Sequence, residues 1–302
     1  MTVVGAVDSG RLTAATPVET EVAPSAYLAA PNLTVTAGNR VTYAYRSIGP
    51  DTRPIVLLQH FRGNLDNWDP ALVDGLAAHR RVVAFDNTGV GGSSGTTPST
   101  VDRMATDALV FLDALELSDV DLLGFSIGSF VAQEVALQRP DAVHRVVLAS
   151  SAPRGAQGMH GWAVDVIDAV GQPQTNADGY LRVFYTASPA SHAAGVASVR
   201  RMGGRIEGRD VRTTWQTRLA QYDAVCAWGI PSHGALERLS AIKAPAFVAN
   251  GDSDPMILPR YSYLLAGHLT DATVKIYPDA AHGFLFQHHA EFAGDVLAFV
   301  AD

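Results

Sequence analysis

The chain has 302 residues, is 47% hydrophobic and carries a formal net charge of −8. That length and apolar content suit one large core, or one core with an inserted subdomain, and the acidic balance gives nucleic-acid binding no electrostatic support. The single cysteine, Cys226, excludes an internal disulfide and a cysteine-based zinc site, and reads as a small buried hydrophobe.

Residues 1–30, rich in Ala, Thr, Val and Pro, show no clear period and read as a loose N-terminal arm. Their apolar side chains could pack on a neighbouring surface or subunit, which leaves a homodimer open. The chain starts without the basic n-region and apolar h-region of a secretory signal. No window approaches the roughly 18 apolar residues of a membrane span. A cytoplasmic protein with no membrane partner is the expectation.

Residues 32–36 and 40–46 read as a hairpin, with Ala37-Gly38-Asn39 supplying the positive-φ turn. Residues 54–59 form a short apolar run suited to a buried strand. Asp69-Pro70 pairs an N-cap with proline at the first helical position, opening a helix to about residue 79. A strand at 81–85 runs into a turn-rich loop, Asp86-Asn87-Thr88-Gly89-Val90-Gly91-Gly92-Ser93-Ser94-Gly95. Pro98 then opens a long helix to about residue 117, and further strands are expected at 120–123 and 145–149.

Between these last strands lies Gly124-Phe125-Ser126-Ile127-Gly128, a Gly-x-Ser-x-Gly pattern that leaves an apolar strand and enters a helix over 127–139. A serine at such a turn is held strained, with its hydroxyl lifted clear of the backbone, and small neighbours let strand and helix pass closely. The free N–H groups at the start of the following helix suit a developing oxyanion.

From 153 to about 239 the alternation stops. Helix-like pieces, aromatic residues and Gly or Pro breaks continue without a strong strand, and a strandless stretch of that length is usually functional. It reads as a helical cap, or lid, of 153–239. The alternation resumes with a strand at 246–250, a helix at 259–267, a strand at 273–277 and a closing helix over 284–300. The expected architecture is α/β: a mostly parallel, doubly wound sheet built from 31–152 and 240–302, with the cap inserted between.

Serine attacks only when a base removes its proton and an acid orients that base. In a doubly wound sheet, loops at the strand C-termini must supply both. Two such loops lie downstream, Asn250-Gly251-Asp252-Ser253-Asp254-Pro255 and Pro278-Asp279-Ala280-Ala281-His282-Gly283-Phe284. With these residues in view, the chain resembles the α/β-hydrolase superfamily, serine hydrolases with a helical cap, over about 30–300. The landmarks agree in order: Gln59-His60-Phe61-Arg62-Gly63, the Asp86 turn, the Ser126 turn, the Gly-x-x-Asp loop and Ala-His-Gly-Phe.

The resemblance implies Ser126 as nucleophile, His282 as general base and then acid, and Asp254 as the residue orienting His282. Asp252 stays open as an alternative. The oxyanion hole implied by the resemblance uses the backbone N–H groups of Ile127 and Phe61. His60 stands where most relatives carry glycine, so His60 and Arg62 either project into the site or serve structure, His60 hydrogen-bonded under the loop and Arg62 paired with a carboxylate.

No metal or organic cofactor is implied. The partner is a small-molecule substrate, hydrophobic or aromatic, drawn to a pocket beneath cap aromatics from Trp162, Tyr180, Phe184, Tyr185, Trp215, Tyr222 and Trp228. Carboxylic ester or lactone hydrolysis is the expected reaction. Carbon–carbon bond hydrolysis and haloperoxidase-like perhydrolysis use the same residues, and a non-catalytic ligand binder keeps the fold. Three other signals are discounted. Gly89 to Ser94 lacks the third glycine of a dinucleotide fingerprint, His288-His289 point in different directions on a helix, and the arginines at 200–212 read as a solvated face.

Overall fold

The computed structural model describes residues 25–173 and 176–301, so most of the expected N-terminal arm lies outside the described residues. Among the described residues one sheet contains β1 (Leu33–Thr36), β2 (Thr42–Ile48), β3 (Ile55–Leu58), β4 (Val82–Phe85), β5 (Val120–Phe125), β6 (Val143–Ala149), β7 (Ala246–Gly251) and β8 (Ala272–Tyr277). Their order is β1-β2-β4-β3-β5-β6-β7-β8. The hairpin β1–β2 is antiparallel and joins β4 antiparallel, and every later pairing is parallel.

β3 and β4 are apolar runs, β5 is apolar but for Asp121, and all three are buried at every position, because helices cover both faces of a parallel sheet. Helix Pro70–Ala77 packs against the C-terminal helix His289–Phe299, and helix Val101–Ala114 against Ile127–Gln138. β3 lies between β4 and β5, with Leu58 opposite Gly124. The loops leaving β3 and β5 therefore meet at the strand C-termini, where doubly wound sheets place their ligands.

Four local expectations need correction. In the β1–β2 turn the positive φ falls on Arg40 (φ 65), not on Ala37-Gly38-Asn39. The Asn39 side chain is occupied, accepting from the Val41 N–H at 3.1 Å and donating to the Tyr43 hydroxyl at 2.8 Å. The helix expected from Pro98 starts at Val101, because the Thr100 hydroxyl caps it by accepting from the Arg103 N–H. The closing helix is two pieces, Phe284–Gln287 and His289–Phe299. The break falls at His288, whose ring reaches back to the Pro278 carbonyl at 3.1 Å. Finally, the end of the expected arm is docked: Tyr27 is buried, its hydroxyl donating to the Leu65 carbonyl at 2.7 Å and its N–H to Asp74 at 2.8 Å.

Between β6 and β7 the described residues hold helices and no strand, chiefly Val164–Val170, Ala177–Phe184, Pro189–Met202, Trp215–Trp228 and His233–Glu237. This helical insert is tied to the core by polar contacts. Asp69 caps helix Pro70–Ala77 through the Ala71 N–H, as its sequence position suggests. The same carboxylate accepts from Ser198 at 2.7 Å and from Arg201 at 2.6 and 2.8 Å, both on the insert. No helix among the described residues is long and apolar enough to cross a membrane.

Candidate active site

Ser126 sits between β5 and helix Ile127–Gln138 with φ 57 and ψ −125. Left-handed backbone costs a non-glycine residue about 1–2 kcal/mol, and the surroundings hold it there. The Ser126 N–H donates to the Ala149 carbonyl at 3.0 Å. Its carbonyl accepts from the Ser129 N–H at 2.8 Å and the Ser129 hydroxyl at 2.5 Å. A Cβ on Gly128 would collide with the Leu58 carbonyl, and one on Gly124 with the Gly128 carbonyl. Only glycine permits this crossing.

The strained turn presents the Ser126 hydroxyl to His282, whose Nε2 lies 3.0 Å from Oγ. His282 Nδ1 lies 2.8 Å from Asp254 Oδ2. The other Asp254 oxygen accepts from the Met256 N–H at 2.8 Å and the Ile257 N–H at 3.0 Å. Ser126, His282 and Asp254 are 4%, 1% and 1% exposed, so the hydrogen-bonded chain is shielded from water. Asp254 accepts on both oxygens, so Nδ1 carries the proton and Nε2 faces Oγ with its lone pair.

The His282 backbone is anchored by the Ser150 hydroxyl, which donates to its carbonyl at 3.0 Å, and the ring packs on Phe125 and Phe184 at 5.1 and 5.2 Å. Asp252, the alternative orienting residue, is exposed. Its carboxylate accepts from the Asp279 and Ala280 N–H groups, which braces the His282 loop without reaching the ring.

Neither the Phe61 nor the Ile127 N–H donates to a protein group among the described residues. Phe61, in the loop after β3, lines the cavity that opens onto Ser126, and Ile127 follows Ser126 at the N-terminus of its helix. The cavity measures about 750 Å³. Of the insert aromatics, Tyr180 and Phe184 line it. Trp162 packs edge-on against Phe61 at 4.8 Å, and Trp228 stacks on Phe130 at 5.0 Å, so those two serve packing.

His60 keeps half of its structural role. Nδ1 bonds the Phe61 carbonyl at 2.9 Å, while the buried Nε2 has no partner. Burial pushes its imidazole down to about 3, against a smaller upward pull from the Phe61 carbonyl, so it is neutral. For Arg62 no carboxylate partner stands among the described residues. Its guanidinium donates to the Gln172 carbonyl at 2.7 Å and the Pro173 carbonyl at 3.0 Å, both in the insert.

Sequence reasoning missed the buried polar chain beneath the turn. The Ser129 and Ser151 hydroxyls lie 2.7 Å apart, and Gln133 donates to Ser151 at 3.0 Å and to the Ala152 carbonyl at 3.2 Å. The only available signal was a run of serines after β6, which reads equally well as a turn.

Comparison with known proteins gives the same architecture. The family model described as alpha/beta hydrolase fold matches residues 53–289. An alpha/beta hydrolase fold protein from Chitinophaga pinensis is 36% identical, with a TM-score of 0.85 over 91% of this chain and 99% of that one. A non-heme chloroperoxidase from Burkholderia pyrrocinia is 28% identical over 88% of this chain and 98% of its own. The enol-lactonase from Burkholderia xenovorans LB400 shares the fold, with a TM-score of 0.73 at 22% identity, over 89% and 100% of the two chains. The family match spans most of the chain, and the protein belongs to the α/β-hydrolase fold family.

Proposed function

We propose that the protein is a serine hydrolase that cleaves a carboxylic ester or lactone through an acyl-enzyme on Ser126. The observation that carries this reading is His282, which bridges Ser126 Oγ at 3.0 Å and Asp254 Oδ2 at 2.8 Å. As Ser126 Oγ bonds to the acyl carbon, its proton passes to His282 Nε2. Asp254 keeps the ring oriented and stabilises the imidazolium. The carbonyl oxygen becomes an oxyanion held by the Phe61 and Ile127 N–H groups, a contribution of about 3–4 kcal/mol per donor. Collapse expels the alcohol, which takes the proton from Nε2.

Water then gives its proton to His282 and attacks the acyl carbon. Ser126 leaves reprotonated, and the acid is released. A lactone follows the same steps with both parts joined. On this reading residues 153–239 cap the site and exclude bulk water. The substrate is small and largely apolar, seated among Phe184, Val170 and Met256.

A second reading replaces the incoming water with hydrogen peroxide. The same acyl-enzyme then yields a peracid, and the printed name of the Burkholderia pyrrocinia relative favours testing it. A fluorophosphonate probe tests the shared step. Wild type should gain one adduct by intact mass and Ser126→Ala none. Folded wild type that stays unlabelled while binding small acids would sink the hydrolase reading in favour of a ligand binder. Turnover of an ester panel with and without peroxide then separates the two acceptors.

A further inference from the structure

Arg62 follows Phe61 in the loop after β3 and has a left-handed backbone, φ 61. Insert residues hold it there: its N–H donates to Gln221 Oε1 at 2.6 Å, and its carbonyl accepts from Thr213 at 2.6 Å. The side chain lines the cavity shared by Ser126 and His282. Its two bonds to the Gln172 and Pro173 carbonyls use two of five guanidinium N–H donors.

No carboxylate pairs with this half-buried cation among the described residues. The charge that acts on it is a second cation, Arg218, and burial together with Arg218 lowers the Arg62 pKa. Arg218 is itself buried, donating to the Gly171 carbonyl at 2.9 Å beneath the rings of Trp215 and Tyr222, again with no carboxylate partner among the described residues. Arg209 and Arg212 line the same cavity, and neither pairs with an acid among the described residues.

The two carboxylates on that wall are engaged elsewhere. Asp66 pairs with Arg46 at 2.5 Å and accepts from the Asp210 N–H at 2.8 Å. Asp210 accepts from the Val211 and Leu65 N–H groups at 2.7 and 3.1 Å. The chain as a whole is acidic, yet residues 153–239 contain nine arginines against seven carboxylates. Desolvated cations without a counter-ion are costly, and this pair stands where a substrate would bring one.

We infer that Arg62, backed by Arg218, binds a carboxylate carried by the substrate, so that the substrate is an apolar ester or lactone ending in an acid. The reaction part of this inference rests on the hydrolase reading above, and the binding part does not. The planar fork of arginine matches a carboxylate in two-point contact. Arg209 and Arg212, exposed at the mouth, draw the anion in.

Two measurements test it. In the first, glutarate and adipate are added to wild type in a thermal-unfolding assay beside their neutral dimethyl esters. The diacids should raise the Tm, the diesters should not, and Arg62→Met should lose the shift. In the second, p-nitrophenyl monoesters of succinate, glutarate and adipate are compared with p-nitrophenyl esters of uncharged acids of equal length. Wild type should favour the anionic series by about tenfold in kcat/KM at one length or more, through KM. That ratio should fall to about one in Arg62→Met and return in part in Arg62→Lys.

A wild-type ratio at or below one at every length, or a ratio that survives in Arg62→Met, overturns the inference even with Ser126 fully active. Were no ester hydrolysed and Ser126 unlabelled, the hydrolase reading would fall alone. The diacid shift on wild type would then decide the carboxylate site, its presence supporting the site and its absence removing it. The wild-type measurements also decide the matter if Arg62→Met does not fold.

Discussion

His60 and His282 stand against the same two rings, Phe125 and Phe184, yet their nitrogens are used differently. His282 has a partner on each side, while His60 bonds through Nδ1 alone. Burial holds His60 near about 3 in the folded protein against 6.5 for the free side chain. Below the unfolded value the unfolded chain binds a proton that the folded chain refuses. Stability therefore falls as the pH drops from 6.5 towards about 3, at about 1.4 kcal/mol per pH unit. Between about pH 7 and about pH 5 this amounts to roughly 2 kcal/mol. Wild type should lose that much more stability than His60→Phe, read from urea unfolding at both pH values. Parallel losses would show that His60 does not titrate across the transition. The two aspartates of the loop after β7 separate in the same way. Asp254→Asn should cost about 10³–10⁴-fold in kcat, because the amide favours the wrong tautomer of His282. Asp252→Asn, which leaves Nδ1 untouched, should instead lower stability by about 1 kcal/mol while kcat stays near that of wild type.

Two glycines, Gly128 in the strand–turn–helix element and Gly294 in the C-terminal helix, separate steric contact from backbone entropy. The Gly128 Cβ position is occupied by the Leu58 backbone, which a rigid sheet cannot move away. Gly128→Ala should destabilise by about 2–3 kcal/mol through overpacking and displace Ser126, lowering probe labelling at equal folded concentration. Gly294, inside helix His289–Phe299, has open space at its Cβ. There Gly294→Ala should stabilise by about 0.5–1 kcal/mol through helix propensity, seen as a higher Tm with unchanged labelling. Equal effects at the two sites would mean that backbone entropy, not steric contact, governs both. The element is legible in the sequence because its signals are local: an apolar run, a glycine on each side of Ser126, then helical spacing. Asp254 and His282 are legible for a related reason, since each lies in the loop that ends a strand. Other features depend on partners far along the chain. Asp69 reads as a cap and also holds Ser198 and Arg201, more than a hundred residues away. Arg62 finds carbonyls of the insert in place of a carboxylate. The positive φ of Arg40 was hidden because Asn39 commits its side chain to the turn, and the break at His288 because that ring reaches back to the Pro278 carbonyl just past β8.

At the scale of the whole molecule, the insert meets the core across acids. Asp86, from the turn after β4, and Asp210, from the insert, both accept from the Leu65 N–H, at 2.9 and 3.1 Å. Asp86 also accepts from the Gly92 N–H at 2.9 Å. Nearby stand Asp66, Arg46, Arg205 and Tyr27, with Arg46 committed to Asp66. Burial first, and then the Asp210 carboxylate, raise Asp86 well above the usual carboxylate range, so the folded protein keeps a proton there that the unfolded chain releases above 3.8. The sign follows. The folded state binds the extra proton, so this contact is strongest below the unfolded value and weakens as the pH rises towards the folded one. Repulsion between the two carboxylates, which this proton relieves, is thus a cost that grows as the pH rises. Asp210→Asn replaces that repulsion with an amide able to donate to Asp86, while its oxygen still accepts from the Val211 N–H. The variant should be more stable than wild type by about 1 kcal/mol near pH 8, with the gain shrinking towards pH 4, in urea unfolding followed across that range. A loss of stability at every pH would instead mean that Asp210 matters as an acceptor for Leu65 and not as a charge. At this junction the insert would then be held through the acceptor role of Asp210, with no pH dependence from its charge.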